Sequence, residues 1–584
     1  YRATVTATGT SSKDLVMKIT FNGTGKVLLD CVKFETTDST LGFKNYLYNA
    51  IKDMSPAFFR FPGGCIIEGK DDDSYYDWKK SIGASLVAGE ATADTVPEFV
   101  YQLNDEGKIS EERTYGEQAT RDYSTDIWAL NDGNGKSYYQ MEYGIGFYEY
   151  FMLCDSLGAK AIPVLNCGKA CQGQSIGAAL NGRHGNKIKD FVQDAKDLIC
   201  FAKGSVNSSD PNEKYWAQVR VNMGHPEPFE MDYLGIGNEQ WGDYYTRYYE
   251  EFLKEFAFED NDLYRSVKII VGNCTLFMHC ELPSANRKGL AQQAALNYKK
   301  SGKIGAVSDY GVHDQHYYMN YTDFLANTTM YDGYKRPDTD PNEYYEVFVG
   351  EYSANTLTVC SPEPDENTRF PYTENSWITA LSEAAMMTGY ERNGDIVKLA
   401  AYAPMFGNLI RPSDMNINHH WGVNMMFFDA TDVVLTPNYY VQQLFMQNAG
   451  DHKLDSSIAF ASGSAPKTDY KGNSKLTGAV VTRTLDDFFY VASADGETGD
   501  LIVKIVNAGG TEMKLNLDVG VAGTELKGTA QITTLQNFKS NAVSSLQGDA
   551  VQPVKRVVNG FTGGNKIGVT IDPYSVTAVR IRTK

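Results

Sequence analysis

Residues 145–402 alternate between two hydrophobic patterns. Stretches with apolar residues every three to four positions, typical of amphipathic helices, are followed by short continuous apolar runs, typical of buried strands. The predicted helix and strand pairs are Ile145–Leu157 with Ala161–Asn166, Ile188–Ala202 with Leu234–Gly237, Tyr244–Phe258 with Val267–Asn273, Gly289–Ser301 with Tyr310–His316, Tyr321–Met330 with Val347–Gly350, and Trp377–Arg392 with Val397–Tyr402. A further buried strand, Ala57–Phe61, precedes them. This alternation predicts an α/β fold with a parallel sheet that closes into a (β/α)8 TIM-type barrel.

The two ends of the chain show a different period. Residues 1–36 alternate like strands around a turn at Asn22-Gly23 and predict a β-hairpin, the remnant of a sandwich module. From about residue 430 the period returns to two, with polar turns between the runs, which predicts a C-terminal antiparallel β-sandwich. The predicted domains are therefore residues 1–36, residues 37–429 for the barrel, and residues 430–584 for the sandwich.

Composition narrows the possible partners. The chain of 584 residues has a net charge of −19, which disfavours nucleic acid and anionic membranes. It contains no run of eighteen apolar residues, so we predict no membrane span. Cys167 and Cys171 lie four residues apart, but no second pair has zinc-site spacing, and we predict no metal there.

Two predicted strands end in a carboxylate. Glu239 follows the run that ends at Gly237, and Glu351 directly follows Gly350. A carboxylate at the end of a buried strand has a raised pKa unless a partner compensates for its burial, which is how a general acid forms at neutral pH. A single Gly-Asn-Glu sequence is more often a strand-end turn with a helix cap. Two strand-end glutamates in one chain, however, are the residues that a glycosidase requires.

Other polar side chains follow the strands and are expected on the same rim. They are Cys65 and Glu68 after the first run, Asn238 beside Glu239, and His316 and Tyr318 near residue 316. Alone, His316 is more often a core histidine and Cys65 a small buried hydrophobe. The aromatic residues Trp78, Trp128 and Trp421 are either stacking platforms for sugar rings or parts of the core.

The chain resembles the α-L-arabinofuranosidases of glycoside hydrolase family 51, a clan A family, from about residue 25 to residue 450. The resembling stretches are Phe59–Cys65 with Glu68-Gly69, Trp78 with Ile82-Gly83, Tyr150–Asn166, Gly237–Trp241, Gly350–Tyr352, Ser382–Gly389, and Arg392–Pro404. The sequence departs from many family members at Ala84, where they have proline, and in the residues from Asp71 to Ser137.

The resemblance implies a retaining glycosidase with Glu239 as acid/base and Glu351 as nucleophile. It implies that Asn238 binds the sugar 2-hydroxyl, that His316 and Tyr318 hold the nucleophile and the ring, and that Cys65 lies against the sugar. The expected substrate is arabinan, arabinoxylan or their oligosaccharides. The expected site of action is extracellular or periplasmic. No metal or organic cofactor is expected. The alternatives are a clan A β-glycanase, such as an endoglucanase, and a catalytically inactive sugar-binding barrel.

Counting the strands leads to a further expectation. The predicted strands end near Phe61, Leu165, Gly237, Val271, His316, Gly350 and Tyr402, which makes seven. The resemblance places the acid/base on the fourth strand and the nucleophile on the seventh, whereas in this chain they fall on the third and sixth. The seven predicted strands therefore correspond to strands two to eight of the family's barrel, and the first strand is missing. We expect an N-terminal fragment of the same precursor, cleaved but retained, to complete the barrel. The alternative is a strand overlooked within residues 37–60.

Overall fold

The computed structural model describes most of the chain. The described residues are 18–27, 38–82, 95–99, 115–120, 123–125, 140–142, 145–171, 179–182, 185–240, 242–258, 261–273, 312–336, 338–339, 344–356, 374–409, 422–473, 480–520, 528–559 and 565–582. Within them, no helix is both long enough and apolar enough to cross a membrane.

Seven parallel strands form the central sheet. They are β1 (Phe58–Phe61), β2 (Lys160–Leu165), β3 (Tyr233–Gln240), β4 (Lys268–Asn273), β5 (Val312–Asn320), β6 (Val347–Asn355) and β7 (Val397–Tyr402). Their order in the sheet is the order in the chain, and each neighbouring pair is parallel. This curved sheet confirms the predicted barrel type and the seven strands counted in the sequence.

Three of these strands run beyond their predicted ends. β3 continues to Gln240, β5 to Asn320 and β6 to Asn355, so the polar residues expected after the strands lie within them. The reason is that parallel pairing continues past the apolar runs, with His316 opposite Glu351 and Asn320 opposite Asn355. Strand length in this sheet follows hydrogen-bond partners rather than hydrophobicity alone.

The sheet has two edges, β1 and β7. Among the described residues no eighth strand lies between them. Phe58 and Phe59 on β1 are only partly buried, and Lys398 on β7 is exposed, whereas every residue of β6 is buried. Both edge strands therefore expose surface that a closed barrel would cover.

Helices pack around the sheet. The longer ones are Asn45–Met54, Phe147–Leu157, Ile188–Lys203, Pro211–Asn222, Gly242–Phe258, Tyr321–Ala326, Trp377–Arg392 and Pro437–Gln447, with short helical turns at Cys65–Ile67, Trp78–Ser81, Asp262–Arg265 and Met330–Gly333. Two large apolar clusters form between the helices and the sheet, and a third, smaller cluster on the strands joins Ile162, Ile270, Val312 and Phe348. The predicted helix Tyr321–Met330 ends early, at Ala326.

The C-terminal part contains antiparallel strands, as predicted. They are His452–Lys453, Lys467–Asn473, Val480–Asp486, Phe488–Ala494, Leu501–Asn507, Met513–Asp518, Thr529–Gln536, Val554–Asn559, Lys566–Ile571 and Ser575–Ile581. A six-stranded sheet and separate two-stranded sheets enclose their own apolar cluster. The sequence pattern missed the helix Pro437–Gln447, inside the region predicted as all-β; Thr436 caps it and Pro437 occupies its first turn.

Several short strand pairs complete the described structure. Ser39–Thr40 pairs with Phe43–Lys44, Thr95–Phe99 with Tyr115–Thr120, and Tyr123–Thr125 with Gln140–Glu142, while Phe406–Asn408, Met426–Phe428 and Val433–Leu435 form a three-stranded sheet. Residues 18–27 contain a bend but no strand, and the rest of the predicted hairpin lies outside the described residues, as does the predicted helix Gly289–Ser301.

A buried carboxyl group on the helix Trp377–Arg392 ties it to β6. Glu383 has no exposed surface, and its two oxygens accept hydrogen bonds from the Ala354 backbone N–H and from Asn438 Nδ2, both at 2.8 Å. Burial raises the pKa of Glu383 to about 8, although these hydrogen bonds lower it. Ala354 lies three residues beyond Glu351 on the same strand.

This pKa predicts a pH dependence of stability. The folded chain holds a proton on Glu383 that the unfolded chain releases near pH 4.5, so the folded state is favoured below that pH and loses stability as pH rises toward 8. The loss is at most about 1.4 kcal/mol per pH unit for one group. Chemical denaturation of the protein and of Glu383→Gln between pH 5 and 9 should show a difference in unfolding free energy that changes up to pH 8 and is constant above it. Parallel curves would contradict this assignment.

Candidate active site

A polar layer lies above the apolar layer of the sheet, toward the carboxyl ends of the strands. Arg60 stands two residues after Phe58 on β1, and Asp314, His316 and Tyr318 follow Val312 at intervals of two on β5. Because alternate residues of a strand face the same side, these side chains share the face of the apolar cluster. The strand period thus brings a cation, a carboxylate, an imidazole and a phenol to one rim.

The backbone of β3 turns sharply where it presents the first predicted catalytic residue. Gly237 has φ +78° and Glu239 has φ +51°, a left-handed conformation that a non-glycine residue rarely adopts. Between them, the Asn238 N–H donates a 2.8 Å hydrogen bond to Glu68 Oε1. Such strain persists where surrounding contacts fix it, and it directs the Glu239 side chain toward β5 and β6.

Glu351 is held by two donors from other strands. Arg60 Nη1 donates to its Oε1 at 2.9 Å, and the Tyr318 hydroxyl donates to its Oε2 at 2.6 Å. The second guanidinium nitrogen, Nη2, donates to Asn238 Oδ1 at 2.7 Å. Donors on both oxygens fix the position of this carboxylate, as a nucleophile requires.

Glu239 lies beside this carboxylate. Its Oε1 is 2.8 Å from His316 Nδ1, and its Oε2 is 3.9 Å from Cys65 Sγ. The same His316 nitrogen is 3.5 Å from Glu351 Oε2, and the two glutamates have carboxylate oxygens within 4.8 Å of each other. Both glutamates are less than a tenth exposed. The structure therefore brings the two predicted catalytic residues together with His316 between them.

The electrostatics of His316 follow from its acidic neighbours. Burial alone would lower its pKa, but the negative charges of Asp314 and Glu351 outweigh burial and raise the pKa well above its usual value. Burial would conversely raise the pKa of Asp314, and the His316 and Arg60 charges bring it below its usual value. His316 is therefore an imidazolium at neutral pH, and Asp314 a carboxylate.

Cys65 and Glu68 support the site from the turn that follows β1. A hydrogen bond with Cys171, then burial and the nearby Glu239 charge, raise the pKa of the Cys65 thiol, so it stays protonated. Burial also raises the pKa of Glu68 well above its usual range. Glu68 has no exposed surface and contacts the Asn238 backbone. In the structure Glu68 therefore fixes the Asn238 backbone, and its predicted contact with the substrate stays a prediction.

Trp78 is part of the core and is not a sugar platform. It is 1 % exposed, its ring packs against Trp216 and Phe147, and its Nε1 donates to the Asp194 carbonyl oxygen. Because the ring is covered by protein, it cannot stack on a sugar, and Trp78 belongs to the core. Trp128 and Trp421 lie outside the described residues.

Two residues of the site, Arg60 and Asp314, were absent from the sequence-based prediction. Arg60 interrupts the aromatic run Phe58–Phe61 and Asp314 lies within a buried strand, and a charged side chain in a buried strand needs a partner. That requirement was the signal that could have identified them. The prediction took its candidates from the residues that follow the strands, and these two lie inside them.

The same cluster has the composition of a small metal site. Among the described residues, Glu239, His316 and Glu351 are the one group of three acidic or imidazole side chains with ligand-type atoms within 4.8 Å of one another. Arg60 and the His316 imidazolium already place positive charge against these carboxylates. The arrangement neutralises its acids with protein cations, and we assign no metal to it.

Comparison with known families agrees with this geometry. Residues 50–336 match the model of the α-L-arabinofuranosidase 1 domain, and residues 350–575 match that of the α-L-arabinofuranosidase C-terminal domain. An extracellular exo-α-L-arabinofuranosidase of Streptomyces chartreusis is 28 % identical over 514 residues, which cover 85 % of this chain and 49 % of the relative. α-L-Arabinofuranosidase 2 of Arabidopsis thaliana is 29 % identical, over 71 % of this chain and 46 % of the relative. The chain spans about half the length of these curated relatives.

Solved structures show the same fold. An arabinose-bound family 51 α-L-arabinofuranosidase superposes with a TM-score of 0.60 and 22 % identity, covering 92 % of this chain and 66 % of the other. The Thermotoga maritima α-L-arabinofuranosidase gives a TM-score of 0.59 with 16 % identity, covering 93 % and 90 %. Two consecutive family domains, relatives over most of the chain and the shared fold lead to one conclusion: the chain belongs to the α-L-arabinofuranosidases of glycoside hydrolase family 51.

Proposed function

We propose that this chain is a retaining α-L-arabinofuranosidase that releases terminal α-L-arabinofuranosyl residues by double displacement. The observation that supports this most strongly is the closeness of Glu239 and Glu351: one carboxylate oxygen of each lies within 4.8 Å of the other. Retaining glycosidases place their two carboxyl groups about 5 Å apart, whereas inverting enzymes leave about 6.5 Å or more for a water molecule. The family and the named relatives indicate that the sugar released is α-L-arabinofuranose.

In the first step, Glu351 is the nucleophile and Glu239 the general acid. A Glu351 carboxylate oxygen bonds to the anomeric carbon while the bond to the leaving oxygen breaks, and that oxygen takes the Glu239 proton. Arg60 and Tyr318 keep Glu351 aimed at the sugar. In the second step, Glu239 takes a proton from water, the water oxygen bonds to the anomeric carbon, and the ester to Glu351 breaks.

Asn238 precedes Glu239 in the chain, shares the Arg60 guanidinium with Glu351, and is proposed to bind the sugar. Its Oδ1 accepts from Arg60, and its backbone is fixed by Glu68. The side chain has no exposed surface in this structure, so contact with the 2-hydroxyl requires it to be uncovered as the sugar enters. Glycine at position 64 leaves room for this, because a Cβ there would lie 3.0 Å from Glu351 Oε1 and 3.3 Å from Asn238 Nδ2.

The substrate in nature is proposed to be plant cell-wall arabinan, arabinoxylan or their oligosaccharides. The Streptomyces chartreusis relative is named as extracellular, which supports an extracellular or periplasmic site of action. A panel of 4-nitrophenyl glycosides tests the proposal. We expect hydrolysis of the α-L-arabinofuranoside and little of the β-D-xyloside, β-D-glucoside and β-D-cellobioside. A preference for the cellobioside would favour a β-glycanase, and binding without turnover would favour an inactive barrel.

The opposite protonation states of the two glutamates predict a bell-shaped pH profile for kcat/KM. Glu351 must be ionised to attack, so activity falls on the acid side as it gains a proton. Glu239 must be protonated to assist departure, so activity falls on the alkaline side as it loses one. Initial rates on 4-nitrophenyl α-L-arabinofuranoside from pH 4 to 9 measure both limbs. A flat profile, with chemistry shown to limit the rate, would contradict the pairing.

An eighth strand is proposed to close the sheet between β1 and β7. The half-buried residues of β1 and the exposed Lys398 of β7 support it, because a closed barrel covers both strands. We propose that an N-terminal fragment of the same precursor supplies this strand. An experimental structure of the protein isolated from its source is the test. Eight strands drawn entirely from residues 1–584 would contradict the proposal, and a second short polypeptide on this edge would support it.

A further inference from the structure

Asp314 lies on the far side of His316 from Glu239. Its Oδ2 is 3.1 Å from His316 Nε2 and 3.8 Å from Arg60 Nη2. The Nε2 contact is an ion pair rather than a well-aligned hydrogen bond, and the side chains of both Asp314 and Arg60 are about one-twentieth exposed. One buried carboxylate thus faces both cations of the site.

The strand beside Asp314 leaves room for its carboxylate. A Cβ at Gly350 would lie 2.0 Å from Asp314 Oδ1, so no side chain fits between Asp314 and the backbone just before Glu351. Gly350 has no left-handed φ that would require glycine for conformational reasons. Its lack of a side chain is instead explained by the close approach of Asp314.

His316 is surrounded by charged and titratable groups from four strands. They are Arg60 on β1, Glu239 on β3, Asp314 and Tyr318 on β5, and Glu351 on β6. Of these, Asp314 is the one acid that takes no part in the proposed chemistry, so its charge stays constant through the cycle. It therefore favours the imidazolium form of His316 at every stage.

The double displacement moves negative charge between the two glutamates. Glu351 has the charge before the first step, and Glu239 has it once Glu351 is esterified. His316 Nδ1 lies 2.8 Å from Glu239 Oε1 and 3.5 Å from Glu351 Oε2, so one fixed cation is close to both positions. It keeps its proton throughout and stabilises whichever carboxylate is ionised.

We propose that Asp314 is a positioning residue that fixes the His316 ring and its positive charge between Glu239 and Glu351. The inference rests on the proposed double displacement. His316 is nearer to Glu239 than to Glu351, so the step that needs an ionised Glu239, hydrolysis of the glycosyl-enzyme, depends on Asp314 more than the first step does.

The test is Asp314→Asn with 2,4-dinitrophenyl α-L-arabinofuranoside, whose leaving group needs little protonation. Breakdown of the intermediate then limits kcat, while kcat/KM reports its formation. We expect kcat to fall about ten- to a hundredfold, the range for loss of one charge-assisted contact, and kcat/KM to fall less. The burst of dinitrophenolate should approach one per active site, and the acid limb of kcat should move to higher pH, because Glu239 keeps its proton longer.

Two further variants make the result decisive. Gly350→Ala should reproduce the same pattern by displacing the Asp314 carboxylate. Asp323→Asn is the matched control, because Asp323 is similarly buried and ion-paired with Arg483 at 2.6 Å, outside the site; it should leave all four readouts unchanged. Equal losses of kcat and kcat/KM in Asp314→Asn, with an unchanged pH profile, would overturn the inference. If the wild type shows no burst because no glycosyl-enzyme forms, the proposed function fails first, and the two failures are thus distinct.

Discussion

Glu351→Ala is expected to abolish turnover of every arabinofuranoside, including those with excellent leaving groups. Without the carboxylate no bond to the anomeric carbon can form, and the loss should be roughly 10⁴-fold or more, the scale for removal of a catalytic nucleophile. The substitution would also remove the hydrogen-bond acceptor that Arg60 and Tyr318 share, so Glu351 has a role in the order of the site besides its reactivity. Initial rates on 4-nitrophenyl and 2,4-dinitrophenyl α-L-arabinofuranosides measure the effect.

Glu346→Ala is the matched control for this variant. Glu346 is buried to the same degree and ion-paired with Lys268 at 3.1 Å, but it lies just before β6, five residues ahead of Glu351. We expect its kcat to stay within a few-fold of the wild type. Substantial activity in Glu351→Ala with a stable fold would show that the nucleophile has been misassigned.

Glu239→Ala should depend strongly on the leaving group. With 2,4-dinitrophenolate the first step needs no proton, so kcat/KM should stay near the wild-type value; with an alkyl or sugar leaving group it should fall about 10²- to 10⁴-fold, the usual contribution of a general acid. This contrast separates the acid/base from the nucleophile, because loss of Glu351 affects both substrate classes equally.

Added azide sharpens the assignment. In Glu239→Ala, azide can attack the glycosyl-enzyme in place of activated water and should give the α-arabinofuranosyl azide, with retained configuration. In Glu351→Ala it would attack the substrate directly from the opposite face and give the β-azide. The same azide anomer from both variants, or equal loss of activity on both substrate classes, would contradict the two roles.

The sequence predicted the architecture well because hydrophobic period reports burial directly. The seven strands and both glutamates follow from apolar runs and the residues after them. The helix Pro437–Gln447 was missed because its surroundings have period two, and the cap at Thr436 was the stronger local signal. Trp78 shows a second limit of prediction from sequence, because an aromatic residue type does not reveal whether its ring faces a cleft or a core.

The remaining site contacts depend on distant parts of the chain. Arg60 and Glu351 are separated by 291 residues and meet only because β1 and β6 belong to one curved sheet. Glu68 and Asn238, 170 residues apart, are a similar case: the sequence predicted both as substrate-binding residues, and the structure adds a hydrogen bond between them. Such pairings become visible only once strand order and register are known.

The stereochemistry of transfer to methanol tests the central claim most directly. Hydrolysis of 4-nitrophenyl α-L-arabinofuranoside in dilute methanol, followed by ¹H NMR of the methyl arabinofuranoside, reports the configuration at the anomeric carbon without interference from mutarotation. Two displacements through Glu351 predict methyl α-L-arabinofuranoside. Exclusive formation of the β-anomer would mean a single displacement, and would contradict the roles of Glu239 as acid/base and Glu351 as nucleophile.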